Sequence, residues 1–300
     1  MEPNSLISVI VLHYANLSDT QECLASLSSV DDPHFNILLI DNGTGDPALE
    51  QLKAPGLTLI RNAHNLGFAE GNNVGIRYAL DHGAGAVLLL NNDTTVAPSL
   101  LTAFRQASQL FPQAGALGAK IYFYDDPPVI WHAGGMIDRK TVHCRHLGCG
   151  DTDREKRWEN YQEVDYVCGC ALFATRQAIE AAGLLAPEFF LMWEEVDWCY
   201  RMRMAGYPSL FVPQAKLWHK ISQSFEEGNR CPSRLYYYCR NRLLFLKRHF
   251  SFKERVRFYF LSFGKELFNF GNKRREYLAY LRGTRDYFFG KFYAKSLKIK

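Results

Sequence analysis

No apolar run approaches the roughly 18 residues that a membrane-spanning helix needs, so no transmembrane segment is expected. Met1–Leu6 has no basic stretch leading into an apolar one, so no secretory signal is expected either. The 8 cysteines lack pattern rather than number. Cys168-Gly169-Cys170 is too tight for the usual zinc spacing. His143, Cys144, His146 and Cys149 cluster, but no second ligand pair follows them. Reduced thiols in a cytoplasmic protein are the plain expectation. Two nucleotide fingerprints are missing as well. No Gly-Lys-Ser/Thr follows the one glycine-rich segment, which excludes a P-loop, and no glycine follows the first strand, which excludes a dinucleotide fingerprint. Internal repeats and low-complexity linkers are absent. With 300 residues, 47% of them apolar and 22% charged, the chain is no disordered, collagen-like or small disulfide-scaffold protein.

What is present is unevenly spread. The net charge of +4 hides an acidic body and a basic tail. Residues 233–300 hold 18 of the 35 Lys and Arg, 4 of the 31 Asp and Glu, and 19 of the 42 aromatics. The expected organisation is therefore a body over 1–232 and a basic, aromatic helical extension over 233–300.

In the body, strand-like and helix-like stretches alternate. Ile7–Leu12, Asn36–Ile40, Leu57–Arg61 and Ala86–Leu90 read as buried strands, with helices expected over 18–26, 69–80 and 98–111. Further strands are expected over 115–124, 164–175 and 210–212, and helices over 176–182 and 194–205. This pattern predicts an α/β fold with a mostly parallel sheet flanked by helices. Three of the early strands end in polar clusters: His13-Tyr14-Ala15-Asn16, Asp41-Asn42-Gly43 and Asn91-Asn92-Asp93. Such residues also favour ordinary turns, but ligands of parallel sheets bind at the carboxyl ends of strands.

Other segments suggest chemistry. Arg61–Gly75 joins a strand to a helix and is rich in asparagine and glycine, so the backbone can approach a ligand closely and a helix start can meet an anion. Asp93 at a strand end suits a divalent cation that also binds a diphosphate. Glu194, Glu195 and Asp197 follow the apolar run Phe189–Trp193. Carboxylates at a helix start also favour its dipole, but apolar walls raise a carboxyl's pKa, as a general base requires. His219 in Trp218-His219 is a structural residue unless it sits beside a metal.

Taken in order, Asp41-Asn42, Asn65–Gly75, Leu90–Asp93, Gly169-Cys170-Ala171, Phe189–Asp197 and Trp218-His219 resemble the inverting glycosyltransferases of family 2, in particular their rhamnosyltransferase-like branch. The resemblance spans about residues 5–250. It implies a GT-A fold and a nucleoside-diphosphate-sugar donor, dTDP- or UDP-linked. The same resemblance implies donor-binding roles for His13, Tyr14, Asp41, Asn65, Gly67, Asn72, Asn91 and Asn92. Asp93 and His219 would hold Mn²⁺ or Mg²⁺, and Gly169, Cys170 and Trp193 would lie near the acceptor and phosphates. The family's base falls on Glu195, with Glu194 and Asp197 as competitors. Two departures stand out: Asn91 replaces an aspartate, removing one ligand charge, and Glu195 stands where aspartate is usual. The implied function is transfer of a hexose, rhamnose in this branch, to a glycan or lipid-linked acceptor in surface polysaccharide synthesis. The alternative is a non-catalytic nucleotide-sugar or polysaccharide-binding protein with a degenerate metal site. A sugar nucleotidyltransferase would need a glycine-rich, lysine-bearing loop that residues 13–20 lack.

The tail has two readings. Val256, Phe260, Phe263 and Leu267 recur at helical spacing and could pack on the body. Alternatively, interleaved aromatic and basic residues suit an anionic membrane surface on the cytoplasmic side of the inner membrane. No nucleic-acid-binding module is recognisable, and no nucleic-acid partner is expected.

Overall fold

The computed structural model describes residues 1–2, 4–153, 156–220, 232–263 and 274–292. The chain begins β1 (Ile7–His13), α1 (Leu17–Leu27), β2 (Phe35–Asp41), β3 (Leu57–Arg61), α2 (Gly67–Asp81), β4 (Ala86–Asn91), β5 (Thr94–Val96) and α3 (Leu100–Leu110). It continues β6 (Ala116–Phe123), β7 (Ile130–His132), β8 (Gly135–Asp138), β9 (His143–His146), β10 (Gln162–Val164), β11 (Ala171–Thr175), α4 (Arg176–Ala182), α5 (Glu194–Met204) and β12 (Ser209–His219). The end is helical: α6 (Pro232–His249), α7 (Phe252–Phe258), a π-helical segment Tyr259–Phe263, and α8 (Arg274–Phe288).

A ten-stranded sheet runs β10-β12-β6-β11-β4-β1-β2-β3, with β5 on β12 and β7 on β6. From β3 to β4 it is parallel, and β11 turns antiparallel against both β4 and β6. Burial on both faces explains the unbroken apolar runs: Val9, Ile10 and Val11 are fully buried, as are Leu38, Leu39 and Ile40. The order of β1, β2 and β4 makes the crevice between β1 and β4 a topological switch point. In register there, His13 pairs with Asp41 and Leu12 with Asn91, so the three polar strand ends share one edge.

Helix α2 lies close on the sheet because Gly71 and Gly75 face it. A Cβ on Gly71 would come within 2.8 Å of the Leu12 side chain, and one on Gly75 within 2.7 Å of Ile10. Helix α6 enters the main core: Leu243, Leu244, Phe245 and Leu246 are buried with Trp193, Trp198 and Phe211. Helix α8 packs on α6 through Ala279, Tyr280, Gly283 and Asp286, and Gly283 sits against the Tyr236 carbonyl.

Several expectations need correction. The span 164–175 is two strands, because residues 165–170 turn between β10 and β11. The short strand at 210–212 is only the start of the eleven-residue β12, so Trp218 and His219 are in the sheet. Strands β5, β7, β8 and β9 are too short to have shown a period. Of the tail stripe, Phe263 packs on Tyr280 at 5.7 Å between ring centroids, whereas Phe260 is 80% exposed. Leu267 lies outside the described residues.

Candidate active site

At the end of β1, buried His13 places Nδ1 2.7 Å from Thr20 Oγ1, and burial, partly opposed by Asp41 and Asp46, lowers its pKa. Tyr14 is 57% exposed. Asp41 at the end of β2 is buried and fully engaged. Its Oδ1 accepts from the Thr44 N–H at 2.8 Å and hydroxyl at 2.6 Å, and its Oδ2 accepts from Arg61 at 2.7 Å and Gly45 N–H at 3.2 Å. Burial pushes its carboxyl up, but these bonds outweigh it and hold the group below the usual carboxylate range.

Asn42, given no role from sequence, organises the asparagine-glycine loop. Its amide donates to Asn65 Oδ1 and the Gly67 carbonyl, each at 3.1 Å, and its Oδ1 accepts from Leu66 N–H and Asn62. Gly67 has φ +78°, and a Cβ there would meet the Phe190 ring at 2.4 Å. The start of α2 is closed rather than open to an anion: the Phe68 and Ala69 N–H groups donate to the Phe190 carbonyl at 2.6 and 3.4 Å. Buried Asn72 donates to the Phe68 carbonyl at 2.9 Å and keeps an Oδ1 with no hydrogen-bond partner among the described residues.

At the end of β4, Asn92 donates to the Ala15 carbonyl at 3.0 Å and to Thr20 at 2.9 Å, tying the β4 and β1 loops together. Asp93 and His219 are brought together across 126 residues because β12 pairs with β5, setting His219 opposite Thr94. His219 Nε2 lies 3.1 Å from Asp93 Oδ1. Burial raises the Asp93 carboxyl, and His219 and Asn91 more than offset it, so it stays ionised. His219 Nδ1 is buried without a partner among the described residues, and the Trp131 ring covers the imidazole at 4.9 Å between ring centroids. Among the described residues no group of three His, Cys, Asp or Glu side chains forms a closed metal site. That includes His143, Cys144, His146 and Cys149. One carboxylate, one imidazole and the Asn91 amide do fit a cation whose other positions go to phosphate oxygens and water.

Gly169 and Cys170 join this half to the carboxylates of α5. The Asn91 N–H donates to the Cys170 carbonyl at 2.9 Å. A Cβ on Gly169 would lie 3.3 Å from the Phe68 ring and 3.5 Å from Glu195 Cβ. Glu195 Oε2 is buried without a partner among the described residues. Burial pushes the Glu195 carboxyl up to about 7, with the backbone at Glu195, Val196 and Trp193 pulling the other way. Glu194 is also buried with an unpartnered oxygen, and burial and Glu195 raise it well above the carboxylate range. Asp197 is separated from both. Its carboxylate meets Arg201 at 2.8 Å, His249 at 2.8 Å and Arg248 at 3.3 Å. Burial alone would raise it, but these partners hold it below the usual range, so it is ion-paired and not free to accept a proton.

The turn ahead of α5 is strained. Phe190, Met192 and Trp193 have φ of 61°, 68° and 74°, a conformation that side chains other than glycine rarely adopt. Buried Trp193 packs on Phe245 at 5.2 Å and Tyr238 at 5.9 Å between ring centroids. Sequence patterning assigns no role to Arg240, Asn241 and Arg242 of α6, and the signal that marks them is a run of three polar residues between Tyr236–Cys239 and Leu243–Leu246, all three of which the structure buries.

A family model described as glycosyl transferase family 2 matches residues 8–179. An N-acetylglucosaminyl-diphospho-decaprenol L-rhamnosyltransferase of Mycobacterium tuberculosis strain H37Rv is 25% identical over 239 residues, covering 73% of this chain and 77% of that protein. An uncharacterized protein of Sinorhizobium fredii is 28% identical over 240 residues, 75% of this chain, and this chain spans only 25% of its length. Among solved structures, GalNAc-T7 with UDP, GalNAc and Mn²⁺ is similar at a TM-score of 0.67 and 15% identity, over 95% of this chain and 55% of that one.

Proposed function

Because the chain belongs to glycosyl transferase family 2 and has the GT-A fold, we propose that it transfers a sugar, rhamnose in the branch it resembles, from a nucleoside diphosphate to a hydroxyl of a glycan or lipid-linked acceptor in surface polysaccharide synthesis. One observation carries the proposal. Glu195, a buried carboxyl with an unpartnered oxygen, stands at Gly169, while the next residue, Cys170, holds the strand end that leads into Asp93.

The chemistry is a single in-line displacement. The acceptor oxygen forms its bond to the anomeric carbon as the bond to the diphosphate breaks, and the leaving group keeps the electron pair. Glu195 takes the acceptor's proton, and a base with a pKa of about 7 is matched to that task. Glu194 stays protonated beside it. His13 and Tyr14 would face the base and ribose, and Asp41 would act through Arg61 and the Thr44 turn. Asn65, Gly67, Asn72, Asn91 and Asn92 would shape the donor cradle. Trp193 would wall the acceptor side, next to Gly169 and Cys170. Asp93 and His219 would hold a divalent cation, which supplies positive charge to the diphosphate when bound.

The extension presents a second surface. Phe260, Leu261 and Phe252 project from α7 and the π segment with Lys253 and Arg257, and the outer face of α8 carries Arg275, Leu278 and Arg282, with exposed Phe289 just past its end. No helix among the described residues is long and apolar enough to cross a membrane. Exposed aromatics among arginines suit peripheral contact with anionic lipid, where each basic residue adds about 1 kcal/mol. A lipid-linked acceptor and the free thiols, Cys23, Cys170 and Cys199 among them, fit a cytoplasmic membrane face.

Donor turnover tests the proposal: dTDP-rhamnose and UDP-sugars are incubated with and without Mn²⁺, and release of the nucleoside diphosphate is followed. Metal-stimulated release supports it. Tight donor binding with no release under any condition supports the non-catalytic alternative instead.

A further inference from the structure

The turn that presents Glu195 does not hold itself. Every carbonyl from 188 to 193 has a donor, and most of those donors sit on α6. Asn241, fully buried, directs its amide nitrogen at the carbonyls of Phe189 at 2.8 Å, Leu191 at 2.8 Å and Met192 at 2.7 Å. Arg240 orients that amide by donating from Nε to Asn241 Oδ1 at 2.8 Å, and also donates to the Phe189 and Glu188 carbonyls at 2.8 and 3.1 Å. The Phe190 carbonyl faces the other way and takes the Phe68 and Ala69 N–H groups, and the Trp193 carbonyl takes Asp197 N–H. The Phe190 ring stacks on Tyr237 of α6 at 5.6 Å. Strained backbone of this kind persists only where its surroundings over-determine it.

We infer that Asn241, oriented by Arg240, is a positioning residue: by clasping the carbonyls of Phe189, Leu191 and Met192 it fixes the strained turn from which Glu195 is presented, and the Phe190 carbonyl of the same turn ties it to the donor loop. The inference rests on the transferase proposal for its consequence and on the geometry alone for the clasp. Among the described residues, the titratable groups that sense Glu195 or lie beside them carry no fixed positive charge. They are Glu194 and Cys199 of α5, Cys168 and Cys170 before β11, Tyr166 after β10, and Cys144 of β9, beyond which Arg242 lies. Placement in a dry site is therefore what the clasp would control.

The test uses the full chain and Asn241→Ala, with two readouts. The first is the infrared carboxyl titration of Glu195, taken as the difference from Glu195→Gln. The second is steady-state transfer. Loosening the turn admits water, so the titration midpoint falls from about 7 by roughly one pH unit toward the ordinary glutamate value. Transfer loses about 30-fold or more in kcat, while donor KM changes less. A folded variant whose midpoint and kcat match the wild type overturns the inference. If Asn241→Ala does not fold, Asn241→Gln, which keeps the amide and displaces it by one methylene, carries the same expectation. Failure of both to fold assigns Asn241 to folding alone and also overturns it. A shifted midpoint in Asn241→Ala when the wild type itself shows no transfer keeps the clasp and removes the transferase proposal. Normal transfer with an unmoved midpoint does the reverse.

Discussion

The two halves of the candidate site are built differently. On the nucleotide side, His13, Asp41 and Asn91 are delivered by strand register, and each reaches its place within a residue of where its own strand stops. On the acceptor side, Glu195 depends on a strained turn whose hydrogen-bond donors lie about fifty residues further on, in α6. A sheet edge needs only local strands and their order. The turn needs the basic, aromatic extension, so that extension is part of the candidate site's architecture as well as the surface proposed to meet anionic lipid. The lesson is that a charge boundary in sequence, here near 232, need not be a boundary in packing.

The sharpest way to break this comparison is to remove the base. Glu195→Gln is expected to lower kcat by about 10³-fold, within the usual range for general base catalysis, with donor affinity retained. Glu194→Gln should cost far less, and stopped-assay kinetics on both variants would separate the two carboxyls. Next in size is the nucleotide side. Asp93→Asn or His219→Ala should lower turnover by about 10²-fold, as loss of a charge-stabilising group does, and abolish stimulation by Mn²⁺. Chelation should reproduce the loss in the wild type, and added Mn²⁺ should reverse it, as followed by nucleoside-diphosphate release.

Asp197 sharpens the contrast from the side of stability. Its folded-state pKa is depressed, so its contribution is present above the unfolded aspartate value and is lost as pH falls through the folded one. Asp197→Asn leaves Arg201, Arg248 and His249 facing a neutral amide and should cost about 3 kcal/mol, seen as a lowered Tm near neutral pH that converges on the wild type in acid. The smallest effect belongs to the outer surface. Phe260→Ser should weaken binding to vesicles containing anionic lipid by a few fold in a flotation assay, with no change in Tm, because the ring is already in solvent.

Much of the nucleotide half was legible in the sequence. Short apolar runs ending in Asn, Asp and His marked both the strands and the edge at which they stop, and the expected β3 matches its observed bounds. Asp93 with His219 was legible only through the resemblance, because the pairing of β5 with β12 joins residues 126 apart. The three acidic residues of α5 were visible as a group, and helical spacing sets Arg201 on the face of Asp197, but it could not say that Arg248 and His249 of α6 meet the same carboxylate. The Asn42 hub and the Asn241 clasp were not legible as roles. Most of the partners of these two amides are main-chain carbonyls and N–H groups, which leave no trace in residue type.

In the proposed transfer Glu195 is the base, tuned by burial. The most direct test is the pH dependence of kcat in wild type and Glu195→Gln under single-turnover conditions. The account predicts an acid limb near pH 7 in the wild type, falling about tenfold per pH unit below it, and a slow, flat profile in the variant. An acid limb that survives unchanged in Glu195→Gln, or a turnover equal to the wild type's, would contradict it.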